Sequence, residues 1–391
     1  MNKKAVGYGI IGIGNMGTEH VKFINNLKNS ELIAVCDIDP DAFERIDEKT
    51  RERIQCYTCA DDLFKNPDVE VVLIAVPHYD HPDLAIAAME HGKHIIVEKP
   101  IAVHKAEAQR LIDAAKNYPN LVKSAMFCQR TIPAHIKIKN MIDSGELGQI
   151  RRVNWTVTDW FRSQYYYDSG DWRASWRGEG GGVLLNQCPH QLDLMQWFFG
   201  MPTKVRATAK LGKFHDIEVE DEVNAYLEYA DGKVANFITT TGEAPGTNRL
   251  EIAAERGRVI MEKGTIQFLR NETEMTEYSM NHKGDFSRPE YWECNIPVKK
   301  EARPMHQIII ENVSDAILKG TALIAPMEEG IRGLELGNAM LLSGLTDTTV
   351  EMPMDAAVYA EMLQKLIATS KYQKKAAPVK KEIAAGFSSS Y

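Results

Sequence analysis

Val6-Gly7-Tyr8-Gly9-Ile10-Ile11-Gly12-Ile13-Gly14-Asn15-Met16-Gly17 is an apolar run that ends in three glycines and leads into an amphipathic stretch. The next apolar run, Leu32-Ile33-Ala34-Val35-Cys36, is closed by Asp37. Asp37 stands about 20 residues beyond the last glycine, the spacing of a strand-turn-helix-strand unit that holds a dinucleotide. Gly12 permits the tight turn, Gly14 lets the backbone approach a pyrophosphate, and Gly17 lets helix and strand pack closely. Ile13, Asn15 and Met16 complete the loop, whose free N–H groups and helix dipole favour phosphate. At the strand tip beside Ile38, the Asp37 carboxylate can accept from both ribose hydroxyls and repels a 2′-phosphate. No arginine follows directly to receive such a phosphate, so the expected cofactor is NAD rather than NADP.

A chain of 391 residues with 44% hydrophobic content can bury more than one core, and two domains are expected. The net charge of -8 gives no footprint for nucleic acid. Lys3 and Lys4 ahead of apolar residues resemble a leader superficially, but glycines interrupt the run and the same residues are needed for the first strand. No apolar stretch is long enough to span a membrane. Six scattered cysteines suit reduced thiols, and the expected location is the cytoplasm. Cys56 and Cys59 have redox-motif spacing but read more simply as a short strand, with no helix start to lower a thiol pKa.

Strands and helices alternate through the first third. The apolar runs 69–76, 94–97 and 121–127 read as strands, with helices from about Asp41, over 82–91 and over 105–117. This alternation predicts a doubly wound parallel sheet, a Rossmann domain over residues 1–130. From 131 to 370 the expectation is an α+β domain with an open, mainly antiparallel sheet. Its strands are read at 151–160, 203–211, 221–229, 234–241, 250–254 and 259–262. Helices over 305–318 and 328–345, then a last strand and a helix over 356–369, complete it. Residues 371–391 form a Lys/Ala/Ser-rich tail, expected to be frayed or laid on a neighbour.

Ligands of open parallel sheets collect beyond the carboxyl ends of the strands. Three tips qualify: Pro77-His78, with His81 just after it; Glu98-Lys99-Pro100; and Cys128-Gln129-Arg130. Lys99 can donate to a substrate oxygen at the cofactor edge, or be an ordinary surface lysine. The densest signal is Gly178-Glu179-Gly180-Gly181-Gly182-Val183-Leu184-Leu185-Asn186-Gln187-Cys188-Pro189-His190. Pro189 is tolerated only near a helix start, which places His190 in the first turn and Asn186 one turn earlier on the same face. The dipole there disfavours imidazolium, so His190 is expected to be neutral near pH 7 and able to accept a proton. The alternative is a structural histidine satisfied by Asp193 or a backbone carbonyl.

The glycine fingerprint, Glu98-Lys99-Pro100 and the glycine-rich run into His190 and Asp193 together resemble the glucose-fructose oxidoreductase, inositol dehydrogenase and MocA family. The resemblance covers nearly the whole chain. It implies an NAD-dependent dehydrogenase for a ring hydroxyl of a sugar, glycoside or inositol. Lys99 and His190 would flank the reacting carbinol, with His190 as general base and Lys99 orienting the oxygen. Asn186 stands where the family commonly has an aspartate, leaving a neutral partner for His190 or a sugar hydroxyl. Two rival readings are a redox-neutral glycoside-processing enzyme and a catalytically silent sugar sensor.

The segment from Trp160 to Arg173 is too long and aromatic for a simple connector, and its rings, Arg and Asp suit a pyranose or cyclitol. Packing on the sheet or on a partner subunit is the equal alternative for its tyrosines. Substrate contacts are assigned to Arg130, Tyr166, Trp172, Arg173, Asn186 and His190, the Trp-Arg pair on the family resemblance. His78, Tyr79, Asp80 and His81 sit too close in sequence to converge on a metal, so none is expected. The resemblance, with a sheet face left to cover, implies a homodimer or homotetramer.

Overall fold

The computed structural model describes residues 4–170 and 172–373. Two compact units emerge, and neither is contiguous in sequence. The first holds residues up to Ile132 together with Pro189–Leu194 and Glu301–Glu335; the second holds Pro133–Cys188, Met195–Lys300 and the chain from Leu336 onward.

The first unit is a six-stranded sheet, every strand pair parallel. Its strands are β1 (Val6–Ile11), β2 (Ser30–Cys36), β3 (Gln55–Tyr57), β4 (Val71–Ile74), β5 (His94–Val97) and β6 (Lys123–Ala125), in the order β3-β2-β1-β4-β5-β6. All residues of β1 and β4 are buried, as expected where helices cover both faces. Helices Asn15–Asn25, His81–Glu90 and Lys105–Ala115 come from the alternating stretch. Another, Met305–Lys319, arrives from far along the chain, and the buried Tyr8 hydroxyl donates to Ile310 O at 3.1 Å and bonds Ser314 Oγ at 2.7 Å. The single helix expected from Asp41 is instead a 3-10 turn, Pro40–Arg45, and one α-turn, Glu48–Arg51. Asp39 caps the first and Asp47 the second, so the chain restarts rather than continuing.

The second unit carries β7 (Ile150–Val157), β8 (Lys204–Leu211), β9 (Glu220–Glu228), β10 (Val234–Thr240), β11 (Asn248–Ala254), β12 (Gly257–Glu262), β13 (Thr265–Asn271), β14 (Tyr291–Ile296) and β15 (Val350–Glu351). They form one sheet, ordered β14-β13-β12-β11-β7-β10-β9-β8-β15 and antiparallel except where β10 pairs with β7. Burial alternates along β9 and β11, which marks one covered and one open face. Several elements are absent from the sequence reading, among them the short helices Gln164–Asp168 and Met275–Asn281. β14 is a short, largely exposed edge strand, β13 follows a tight turn at Lys263-Gly264, and helix Pro133–Asp143 buries Ala134, Ile138 and Met141 behind a first-turn proline.

The expected tail lies mostly outside the described residues, as does Asp171. Its beginning is anchored: the Tyr372 hydroxyl donates to Asp216 O at 3.2 Å. Among the described residues no helix is long and apolar enough to cross a membrane.

Candidate functional site

The glycine loop has the strain and clearance of a dinucleotide cradle. Gly12 adopts φ +91°, and a Cβ there would stand 2.4 Å from Ala75 O; one on Gly17 would stand 1.9 Å from Gly12 O. Both glycines are therefore demanded by the protein's own packing. Gly14 differs, since a Cβ on it would meet no heavy atom within 4 Å. Its bareness suits close approach of a pyrophosphate, while Asn15 is exposed and Met16 half-buried beside it. At the tip of β2, Asp37 Oδ2 accepts from Ile13 N at 2.7 Å and Oδ1 from Asp39 N at 3.0 Å. Each carboxylate oxygen retains a lone pair for a ribose hydroxyl. Ile38 projects outward, 92% exposed. Arg45 is an addition to the sequence reading: its Nη1 donates to Ile13 O at 2.9 Å, so a cation does reach this loop from eight residues beyond Asp37.

The strand tips are joined by histidines. Pro77 precedes a 3-10 turn carrying the buried His78, and the ring of His81 lies between Pro100 O at 2.7 Å and Val76 O at 2.9 Å, bridging the loops after β4 and β5. Burial pushes the His81 pKa down against both carbonyls. Glu98 Oε1 pairs with His20 Nε2 at 2.7 Å, and Oε2 accepts from Lys99 N at 3.1 Å. Burial alone would raise the Glu98 pKa, but the His20 hydrogen bond and the charges of His20, His306 and Lys99 outweigh it and hold it at about 2. Lys99 itself is half-buried.

His190 sits in the first turn of helix Pro189–Phe199, as the proline predicts. Its Nε2 lies 4.0 Å from Cys128 Sγ, which is 3.4 Å from His306 Nε2; the His306 ring stacks on Phe23. Burial pushes the Cys128 thiol up, with Glu98, while Lys99 opposes the shift. Phe127 meets His190 edge to face at 6.4 Å, and Gln129 Oε1 accepts from Gln191 Nε2 at 3.2 Å. Arg130, expected at the substrate, is 2% exposed. Its Nε and Nη2 fork onto both oxygens of Asp193 at 2.7 and 2.6 Å, and its Nη1 reaches Glu329 at 2.5 Å. Asp193 thus serves the arginine and anchors the helix start to the tip of β6. Cys128 was read only as part of a strand tip and His306 was not singled out at all, because a histidine nearly 180 residues from its neighbour carries no local pattern.

The second unit gathers a polar cluster around Tyr166. The expected same-helix placement of Asn186 is corrected: a π-turn, Val183–Gln187, holds it, and Cys188 at φ −98°, ψ 8° separates that turn from the α-helix. Asn186 Nδ2 donates to Glu179 Oε1 and, at 3.3 Å, to the Tyr166 hydroxyl. Gln187 Nε2 and Arg173 Nη1 reach the same hydroxyl at 3.1 and 2.5 Å, and the Arg173 guanidinium lies 4.3 Å over the Tyr166 ring and 4.4 Å over that of Trp172. Glu179, 1% exposed, was missed because a glutamate among glycines looks like a solvated loop residue. Tyr167 instead packs into the sheet side, bonded to Thr241 Oγ1 at 2.7 Å.

Among the described residues no group of three or more His, Cys, Asp or Glu could hold a metal. None of the six cysteines forms a disulfide. Cys56 lies in β3 as read, but Cys59 is the N-cap of helix Ala60–Lys65, so a helix start does adjoin the pair. Its first turn carries Asp61 and Asp62.

Two family descriptions match: an oxidoreductase family NAD-binding Rossmann fold over residues 6–125, and a GFO/IDH/MocA C-terminal domain over residues 135–260. Inositol 2-dehydrogenase of Salmonella typhimurium is 31% identical over 196 residues, 48% of this chain and 53% of that protein. Levoglucosan dehydrogenase of Pseudarthrobacter phenanthrenivorans is 30% identical over 233 residues, 51% of this chain and 56% of that protein. The chain thus spans about half the length of these curated relatives. Among solved structures, the WlbA dehydrogenase of Bordetella pertussis with NADH and UDP-GlcNAcA is 23% identical with a TM-score of 0.74, covering 90% of this chain and 100% of that one. Levoglucosan dehydrogenase with NADH and levoglucosan is 21% identical with a TM-score of 0.75, at the same coverages. At these identities the two structures are alike in fold.

Proposed function

The chain belongs to the Gfo/Idh/MocA oxidoreductase family, with an NAD-binding Rossmann domain, and from that premise we propose that it interconverts a ring hydroxyl of a sugar, glycoside or inositol with the ketone. His190 accepts the hydroxyl proton as general base, and Lys99 donates to the same oxygen and favours its developing negative charge. Bound NAD supplies the hydride acceptor. The observation that carries this reading is the place of Pro189–Leu194 in the same compact unit as the strand tips. Cys128 is a shared neighbour there: its sulfur is 4.0 Å from His190 Nε2, and the Lys99 charge acts on its thiol. The buried Arg130–Asp193 fork holds that helix start still.

Gly12, Gly14, Gly17 and Asp37 would hold the cofactor, with Asp37 directing preference to NAD. In the second unit Tyr166, Trp172, Arg173 and Asn186 are assigned to substrate hydroxyls and ring faces. A second copy of the chain is proposed to cover the outward face of the nine-stranded sheet, where Tyr226 and Ile238 are exposed beside the Asn154–Asn236 pair. Sedimentation that finds only monomer removes that assignment. The activity test is absorbance at the NADH band on mixing the protein with NAD and a panel of polyols, sugars and glycosides. Net NADH formation is expected. Lys99→Met and His190→Asn should each lose about 10²- to 10⁴-fold in kcat while still binding NAD. Unchanged turnover in either variant would overturn the role assigned to that side chain.

A further inference from the structure

We propose that Arg45 is a positioning residue for the dinucleotide: it locks the Ile13–Gly14 peptide so that the Gly14 N–H stays turned toward the pyrophosphate. Two successive peptides of the glycine loop are gripped by side chains that follow β2. Asp37 Oδ2 accepts from Ile13 N at 2.7 Å, which fixes the Gly12–Ile13 peptide. Arg45 Nη1 donates to Ile13 O at 2.9 Å, which fixes the next one. In a trans peptide the carbonyl and the N–H point in opposite directions, so a carbonyl held by Arg45 sends the Gly14 N–H to the other side. Gly14 O in turn accepts from Thr18 N at 3.0 Å and from Thr18 Oγ1 at 2.9 Å, which points the Asn15 N–H away from the helix. Neither Gly14 N nor Asn15 N donates to any of the described residues.

A lock matters here because glycine makes this peptide easy to turn over. Rotation about ψ of Ile13 and φ of Gly14 would leave the buried Ile13 side chain and its own N–H in place, and glycine adopts either sign of φ at little cost. Gly14 stands at φ −77°, and a Cβ on it would meet nothing within 4 Å. The turned-over peptide would show a phosphate the lone pairs of a carbonyl in place of an N–H. The Arg45 hydrogen bond is the contact such a turn must break.

The fold delivers Arg45 to this carbonyl. It ends the 3-10 turn Pro40–Arg45, between the buried Phe43 and Ile46, and Ile46 N donates to Phe43 O at 3.1 Å to close the turn. Arg45 is exposed, with Asp39, Asp41 and Glu44 close in sequence, yet it forms no ion pair among the described residues and gives its hydrogen bond to the loop. The lock concerns the cofactor alone, whatever the substrate.

Arg45→Met removes the donor at similar length. The site is exposed, so the melt should stay within about 2 °C of wild type. Fluorescence titration with NADH and calorimetry with ADP-ribose, which keeps the pyrophosphate and lacks nicotinamide, should both show Kd weakened about tenfold. The loss should be the same at about 0.05 M and about 0.5 M sodium chloride, since the higher salt screens charges beyond about 4 Å but leaves the peptide orientation alone. A spectroscopic readout isolates the peptide itself. With carbon-13 at isoleucine carbonyls and nitrogen-15 at glycine, a correlation through the peptide bond reports only Ile-Gly pairs, and the sequence has two, Ile11-Gly12 and Ile13-Gly14. Gly12 N donates to Cys36 O at 2.8 Å, so its peak should hold still in Arg45→Met while the Gly14 peak shifts or splits.

An unchanged Kd overturns the proposal. So does a loss that vanishes at high salt, which would make Arg45 a distant attracting charge, or a loss for NADH without one for ADP-ribose. A weakened Kd with the Gly14 peak unmoved means that Arg45 acts on the cofactor other than through the loop. Wild type supplies a check that needs no variant: NADH should displace the Gly14 peak further than the Gly12 peak, and a Gly14 peak left in place removes the role.

Discussion

The fork between Arg130 and Asp193 is the sharpest place to test how the first unit is held together. Both side chains are 1% exposed, and two charge-assisted hydrogen bonds of 2.6 and 2.7 Å join them. Asp193→Ala leaves the guanidinium buried with Glu329, 29% exposed, and the Ile324 carbonyl at 3.3 Å. Breaking a buried pair from one side costs about 3–5 kcal/mol, and because Glu329 stays, the lower end, about 3 kcal/mol, is expected. For a unit of this size each kcal/mol lowers Tm by about 2–4 °C, so the melt should move down by about 6–12 °C. Differential scanning calorimetry reads this directly. The paired replacement Arg130→Met with Asp193→Leu removes both charges and fills similar volume, so it should recover most of the loss, Glu329 remaining solvated. A shift under about 2 °C in Asp193→Ala, or a double variant no better than the single, would refute the claim that an uncompensated buried charge is the dominant cost.

Asp37→Ala should raise KM for NAD about tenfold, the loss of about 1.4 kcal/mol of hydrogen bonding to ribose, and narrow the preference over NADP; steady-state kinetics with both cofactors measures it. Gly17→Ala forces a Cβ to within 1.9 Å of Gly12 O, so the loop must move; NADH binding should be lost in fluorescence titration even where the fold survives. His306 is held down by burial at about 4, against 6.5 ordinarily. A depressed histidine contributes stability that is complete above 6.5 and disappears as pH falls toward 4, about 3 kcal/mol in all. Glu98, held at about 2 against 4.5, extends the loss below pH 4.5. Urea midpoints between pH 7.5 and 5 should therefore fall steeply in wild type and more gently in His306→Phe, whose ring can keep the stack on Phe23.

Much of the site was legible because its signals are local. Gly12, Gly14, Gly17 and Asp37 fall within one strand-turn-helix-strand unit, where spacing and chemistry coincide, and Pro189 announces the helix start that carries His190. Arg45 escaped because its cation reaches the glycine loop only after a 3-10 turn brings it back. Arg130 was placed at the substrate because a strand tip is where ligands gather; its partner Asp193 lies 63 residues on, and a buried ion pair leaves no mark in spacing. β14 escaped for a different reason: its alternating Trp292, Cys294 and Ile296 make a signal only a few residues long, on an edge strand that stays largely exposed.

Residue order alone determined the parallel sheet, the dinucleotide cradle, the change to an antiparallel sheet after residue 149 and the candidacy of Lys99 and His190, because each depends on contacts short in sequence or on strict periodicity. Tertiary structure alone decided that Pro189–Leu194 and Glu301–Glu335 join the first unit, that Cys128 lies between two histidines, and that Glu179 accepts a hydrogen bond from the Asn186 amide. Those pairings are chosen by burial: a polar group taken out of water must find a partner wherever the fold puts one, and chain distance does not enter that choice.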